Sequence, residues 1–216
     1  MSKRLTKSEL SQRRVLDAAA RIFRDNGYVG TTMRAIADAA DMKAGSIYYY
    51  YKSKDELIAA MLDMGINMVM QTVTDSLEKL GEDASGRDRI ECAVNAHLTA
   101  IIEHGDYTLA TRRVFGQVPE TIRQRNLLLR DRYAIVWKDI LEVARGRGEL
   151  RPEADITLAR LFILGALNWT AEWFNPKGRT IDEVAHEFAT ILCNGLFDEN
   201  LSARILETVA THSSSA

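Results

Sequence analysis

Thr31-Thr32-Met33-Arg34-Ala35-Ile36-Ala37-Asp38-Ala39-Ala40-Asp41-Met42-Lys43-Ala44-Gly45-Ser46-Ile47-Tyr48-Tyr49-Tyr50-Tyr51-Lys52-Ser53-Lys54-Asp55-Glu56-Leu57 is the stretch that decides the fold. Thr31 or Thr32 caps a short helix whose apolar positions are Ile36 and Ala37 with Ala40. Ala40-Asp41-Met42 reads as a tight turn, and a second short helix follows over about 43–50. Ser53 and Glu56 have capping-box spacing and open a long helix of about 54–80. Two short helices joined by a three-residue turn are the layout of a helix-turn-helix unit. The second of them would enter the major groove of DNA.

The chemistry of that second helix fits. Ala44, Gly45 and Ser46 are small and let the backbone approach base edges, while Ile47 is expected inside. A helix cannot bury four successive residues, so at least two of Tyr48–Tyr51 must face out. Tyr hydroxyls, Lys52 and Lys54 can bond phosphate oxygens, which fixes register without reading sequence.

Upstream, Thr6 and Glu9 form a capping box, and Val15, Leu16, Ala19, Ile22 and Phe23 make one apolar stripe that ends at Gly27. Downstream, Gly81 to Gly86 reads as a flexible linker. Helices are expected over about 87–104, 106–116, from Pro119 as a first-turn residue to about 146, over 155–174, and over 181–197 behind a Thr180/Glu183 capping box. The fold class is therefore all-α with nine helices. The domains are 1–54, which reads DNA, and 55–200, with a frayed tail at 201–216.

Charge is divided along the chain. Residues 1–54 carry a balance of +6 and the remainder −8. A basic head on an acidic body suits a protein that offers one end to nucleic acid. Cys92 and Cys193 lie far apart in apolar helical contexts, which disfavours a disulfide and points to the cytoplasm. No apolar run approaches the ~18 residues of a membrane span, and no secretion signal follows Met1-Ser2-Lys3-Arg4. Glu183-x-x-His186 and the His97/His104 pair lack partners at metal spacing. No phosphate loop or nucleophile elbow is present, so neither an enzyme nor a cofactor is expected.

From Thr31 to Leu57 the chain resembles the DNA-binding signature of the TetR family of repressors. The matching positions are Thr31-Thr32, Ile36-Ala37, Ala40-Asp41-Met42-Lys43, Gly45, Ile47-Tyr48, Tyr50-Tyr51, and Lys54 with Glu56-Leu57. The resemblance implies a homodimer on a palindromic operator, released by a small effector. It implies DNA contacts from Thr31, Thr32, Arg34, Lys43, Ala44, Gly45, Ser46, Tyr48, Tyr49, Lys52 and Lys54. Three departures stand out. Asp41 replaces the family's turn glycine and would have to adopt a left-handed backbone, which Asp tolerates. Lys43 replaces a capping serine and is expected to face DNA. Tyr50-Tyr51 replaces His-Phe.

Two apolar helices imply the dimer interface, through Phe162, Gly165, Val184, Phe188 and Ile191. Asn168 to Pro176 looks like a segment of TetR-type regulators of fatty-acid and sterol catabolism, a subgroup that responds to acyl-coenzyme A. Six arginines crowd residues 112–132 against Glu120 and Asp131, a balance of +4 in an acidic body. Arg112, Phe115, Arg123, Arg125, Arg130, Trp137, Trp169 and Trp173 are therefore the candidate effector residues, for a polyanionic head and an apolar tail. The alternatives are a multidrug-type repressor that senses an apolar compound, and a helical scaffold that binds DNA nonspecifically.

Overall fold

The computed structural model describes residues 6–196. Among them are nine α-helices: α1 (Lys7–Asn26), α2 (Met33–Ala39), α3 (Ala44–Tyr50), α4 (Lys54–Leu80), α5 (Gly86–Glu103), α6 (Gly105–Val114), α7 (Glu120–Gly146), α8 (Ile156–Trp173) and α9 (Ile181–Leu196). The expectations for Met1–Arg4 and for the tail at 201–216 lie outside the described residues.

The local signals act as their chemistry dictates. At α1 the Glu9 amide donates to Thr6 Oγ1 (3.2 Å), and the Thr6 amide donates to the Glu9 carboxylate (2.7 Å). Gly27 stops α1 at φ 70°, and its amide donates to the Phe23 carbonyl. The Thr180/Glu183 box repeats the arrangement at α9. At α4 the box is only half made. The Glu56 amide donates to Ser53 Oγ (3.1 Å), but the Glu56 carboxylate accepts from the Lys52 amide instead (2.7 Å). Pro119 immediately precedes α7 and is not its first residue. Its carbonyl accepts from the Ile122 and Arg123 amides, so it serves as the helix cap.

Two readings of the sequence need correction. The Gly81–Gly86 connection is tied down: the Arg89 guanidinium donates to the carbonyls of Gly81 (2.9 Å) and Glu82 (3.0 Å), and Arg147 donates to those of Glu82 and Ala84. Helix α4 is also long and apolar enough by composition to cross a bilayer, with an 18-residue window of mean hydropathy 1.3. Its Leu57, Ile58, Met61, Leu62, Val69 and Val73 are buried within the protein. That apolar face is spent on packing helices together.

Helix packing sorts the chain into two compact units. The first holds the residues up to Gln71, with Ala100–Tyr133 and Ala171–Phe174. Its core joins Val15, Ala19 and Phe23 of α1, Ile36 and Ala37 of α2, Ile47 of α3, Leu57, Ile58 and Met61 of α4, and Tyr107, Ala110 and Val114 of α6. Ile47 is wholly buried and anchors the seven-residue α3, which could not hold its shape alone. Truncating it to Ala would cost about 2–5 kcal/mol. The second unit holds Thr72–Thr99, Ala134–Thr170 and the residues from Asn175 on. It buries Ile90, Val94, Leu98, Trp137, Leu141, Ile163 and Leu167.

Candidate functional site

Thr32 caps α2 by accepting from the Ala35 amide (3.1 Å). The α2–α3 turn passes through Asp41 at φ 54°, the left-handed conformation required where a glycine would be at ease. Lys43 sits at the N-cap of α3 and makes no side-chain cap bond, so its ammonium is left to face outward. Ala44, Gly45 and Ser46 are exposed in the first turn of α3, as are Arg34 and Lys52. Tyr48 and Tyr49 are 47% and 76% exposed, Tyr50 is half-buried and Tyr51 is buried. The two outward tyrosines are thus the first two of α3's last turn.

Two residues expected at this face turn inward. The Thr31 hydroxyl is buried and donates to the Gly27 carbonyl (2.6 Å). Lys54 Nζ donates to the carbonyls of Tyr28 (2.9 Å) and Thr31 (3.2 Å) and lies 4.2 Å from the Tyr28 ring centre. Carbonyls left free by the α1–α2 turn outcompete solvent for both side chains.

Gly45 occupies the interior of a helix, where glycine costs roughly 0.5–1 kcal/mol relative to alanine. A Cβ added there would meet nothing within 4 Å. No contact inside the chain therefore requires the glycine.

Helix α1 links this motif to α6. On one side, the Arg14 guanidinium donates to the Ala40 carbonyl (2.9 Å) and Arg21 to that of Ala39 (3.4 Å), at the end of α2. On the other, Arg24 pairs with Asp106, and the Tyr107 hydroxyl donates to Asp17 Oδ1 (2.7 Å), which also receives Arg13 Nε (3.0 Å). A cleft of about 450 Å³ runs along this seam, lined by Arg13, Asp17, Arg21, Asp106 and Tyr107 among others. Its charged walls are ill-suited to an apolar chain. Sequence reasoning missed these links, because the partners are 82 and 90 residues apart.

The arginine-rich stretch resolves into individual cases. Arg112 pairs with Glu172 (3.2 Å), Arg123 with Glu120, and Arg125 with Asp63 of α4 (2.5 Å). Asp63 went unnoticed in the sequence; it also accepts from buried Asn126 (3.4 Å). Arg130 differs. Its Nε donates to Asn126 Oδ1 (3.0 Å) and its guanidinium lies 4.0 Å from the Phe115 ring centre. Burial pushes its pKa below the usual arginine value, and among the described residues no carboxylate reaches ion-pair distance. A partly buried cation without a counter-ion is a ready anion site. Trp137, expected to line the effector site, is wholly buried in the core of the second unit, whereas Trp169 and Trp173 are about half exposed.

On α8, Leu158, Leu161, Phe162 and Trp169 are each more than half exposed, and Ile191 of α9 is 62% exposed. Gly165 lies among them with open space where a Cβ would be. Phe188 is half-buried, and Val184, expected at the same face, is buried within the chain. Among the described residues no three His, Cys, Asp or Glu side chains are grouped to hold a metal ion. Cys92 and Cys193 are free thiols whose pKa values burial raises.

The chain matches two families along its length. Residues 15–61 match the bacterial regulatory proteins of the tetR family, and residues 83–196 match the tetracyclin repressor-like C-terminal domain. The chain belongs to the TetR family: it is a transcription regulator and not an enzyme. It is 28% identical over 204 residues to the HTH-type transcriptional repressor KstR2 of Mycolicibacterium smegmatis, covering 88% of this chain and 94% of that one. Among solved structures, AibR in complex with isovaleryl coenzyme A and operator DNA superposes with a TM-score of 0.70 at 24% identity, over 87% of this chain and 98% of the other. The regulator FadR of Bacillus subtilis in complex with stearoyl-CoA superposes with a TM-score of 0.71 at 20% identity, over 85% and 98%.

Proposed function

We propose that the protein is a cytoplasmic homodimeric repressor that holds a palindromic operator through α3 and is released by an acyl-coenzyme A. Gly45 carries the DNA half of this reading. Its bare backbone destabilises α3, faces open space, and permits the close approach that base edges in a major groove require. Lys43, Ser46, Tyr48 and Tyr49 flank it, with Arg34, Thr32 and Lys52 placed for phosphates. A palindrome asks for two copies, and the exposed apolar face of α8 and α9 around Gly165 supplies the surface for pairing.

Arg130 supports the effector half. An anionic group beside it would supply the missing counter-charge, and Phe115 offers apolar surface alongside. Both lie in the same compact unit as α3. An effector that shifts α6 would pull α1 through Asp106 and Tyr107, and α1 would pull the end of α2 through Arg14 and Arg21. Coupling of about 1–3 kcal/mol is enough for release. A second reading, an apolar effector without a phosphate head, is favoured by the carboxylate partners that Arg112, Arg123 and Arg125 already have.

Footprinting on DNA flanking the protein's own gene, followed by a mobility-shift titration with thioesters of graded chain length beside their free acids, tests the proposal. Protection of a palindrome and release by a thioester alone is the expected result. Equal release by acid and thioester would assign the effector to the apolar class. Uniform protection of all DNA would leave only a nonspecific binder. Gly45→Ala sharpens the test: the fold should gain roughly 0.5–1 kcal/mol while operator affinity falls.

A further inference from the structure

Trp137 of α7 is the bulkiest fully buried side chain in the protein, and its indole Nε1 has no hydrogen-bond partner among the described residues. An indole nitrogen can only donate. Left unmet in an apolar interior, that donor destabilises the fold by about 1–3 kcal/mol. A phenylalanine would fill much of the same space without the penalty. Buried tryptophans ordinarily reach an acceptor, so this one is set for an acceptor that the chain itself does not supply.

The surroundings narrow what that acceptor is. The His97 ring of α5 stands edge-on to the indole, 6.1 Å between centres, and is 1% exposed. Burial holds the His97 pKa down to about 4, so the imidazole is uncharged near neutral pH; Asn168 of α8 hydrogen-bonds to it. Asn168 is itself fixed by donating to the Leu164 carbonyl (2.7 Å). Three helices of one compact unit thus bring together uncharged polar groups, in a unit that also buries Leu98, Leu141, Ile163 and Leu167. A phosphate or carboxylate would be left there without a cation. An uncharged oxygen on an apolar group would not.

We infer that Trp137 receives an oxo or hydroxyl oxygen carried on the effector's acyl part, away from the thioester, so that the protein distinguishes an oxygenated chain or ring from a plain hydrocarbon one. This inference rests on the effector reading above for the thioester, but the oxygen preference follows whether or not coenzyme A is present.

The test uses the full-length dimer and matched probes of six to twelve carbons: saturated acyl-coenzyme A, the corresponding oxo-acyl-coenzyme A with the ketone moved along the chain, and the free acids of both. Binding is read by mobility shift and by the indole ¹⁵N–¹H resonances. At least one oxo probe should bind about two- to tenfold more tightly than its parent, and the Trp137 indole proton should move downfield with that probe only. Trp137→Phe should erase the preference while leaving affinity for the parent within about twofold. If no oxo probe is preferred, or if the preference survives in Trp137→Phe, the inference fails. If the variant loses both probes equally, Trp137 only packs, and the inference fails as well. Failure of the coenzyme A reading looks different: the free acids then release the operator as well as the thioesters do, with the oxo preference intact. The resonance shift in the wild-type protein keeps the question decidable even if the variant folds poorly.

Discussion

Replacing Arg130 by methionine separates a structural arginine from a ligand-reading one. In the free protein the side chain makes one hydrogen bond to Asn126 and stacks on Phe115. Those contacts contribute about 1.5–3 and 0.5–2 kcal/mol respectively. Against them stands the desolvation of a charge with no carboxylate beside it, a penalty of similar or larger size. Methionine keeps most of the apolar stem and its contact with the ring. The free protein should therefore change in stability by no more than about 1–2 kcal/mol in either direction. Binding of an anionic effector should suffer far more. Losing a charge-assisted bond to phosphate costs about 1.5–3 kcal/mol, which at 1.36 kcal/mol per decade is roughly a 10- to 150-fold rise in the thioester needed to release DNA. Operator affinity without effector should be unchanged. Denaturant melts and mobility-shift titrations with thioester and free acid, run in parallel, read both quantities. A variant that melts several kcal/mol lower yet responds normally to thioester would refute the assignment and make Arg130 a packing residue.

Three other outcomes follow from observed contacts. Lys52→Ala should weaken binding to all sequences and reduce the slope of log K against log salt by about 1, whereas Lys54→Ala should leave the slope alone and destabilise the fold by about 1–3 kcal/mol, because its ammonium holds two carbonyls of the α1–α2 turn. Phe162→Glu should convert the particle to single-chain mass in light scattering while helicity persists, since the ring is 65% exposed in one chain; an intact dimer would exclude that face of α8. His97 gives a pH signature: its folded pKa of about 4 lies below the unfolded 6.5. Its contribution is complete above pH 6.5, where both states are neutral. Between 6.5 and 4 the unfolded chain takes up the proton and stability falls, by up to about 3 kcal/mol. His97→Gln should flatten that part of a denaturation-versus-pH profile; an unchanged profile would mean that His97 protonates freely in the fold.

The helices were legible in the sequence because their ends are decided within four residues. Thr6 with Glu9, Thr180 with Glu183, and Gly27 stop or start helices by bonds to their own neighbours. Asp41's left-handed backbone and the outward turn of Tyr48 and Tyr49 were legible for the same reason, since a short helix pinned by Ile47 has only one face to bury. The half-made box at Ser53 shows the limit of even local spacing: the nearest unpaired amide, on Lys52, won the Glu56 carboxylate.

What the sequence could not disclose is which side chains meet across helices. Six arginines within 21 residues look like one patch, but α7 points them in different directions every 100°. Arg125 finds Asp63 from 62 residues away, Arg112 finds Glu172 from 60, and Arg130 alone among the paired candidates is left to a ring and an amide. Lys54 reads as a free cation beside DNA until the α1–α2 turn brings two carbonyls to it, 23 and 26 residues back along the chain. Trp137 reads as one more aromatic on an amphipathic helix until packing encloses it with an unmet donor. Composition and spacing determine the elements and the face that meets DNA, because those rest on short-range bonds and helical period. Only the tertiary structure decides which charges are already spent and which polar groups still await a partner, because that depends on neighbours that sequence distance conceals.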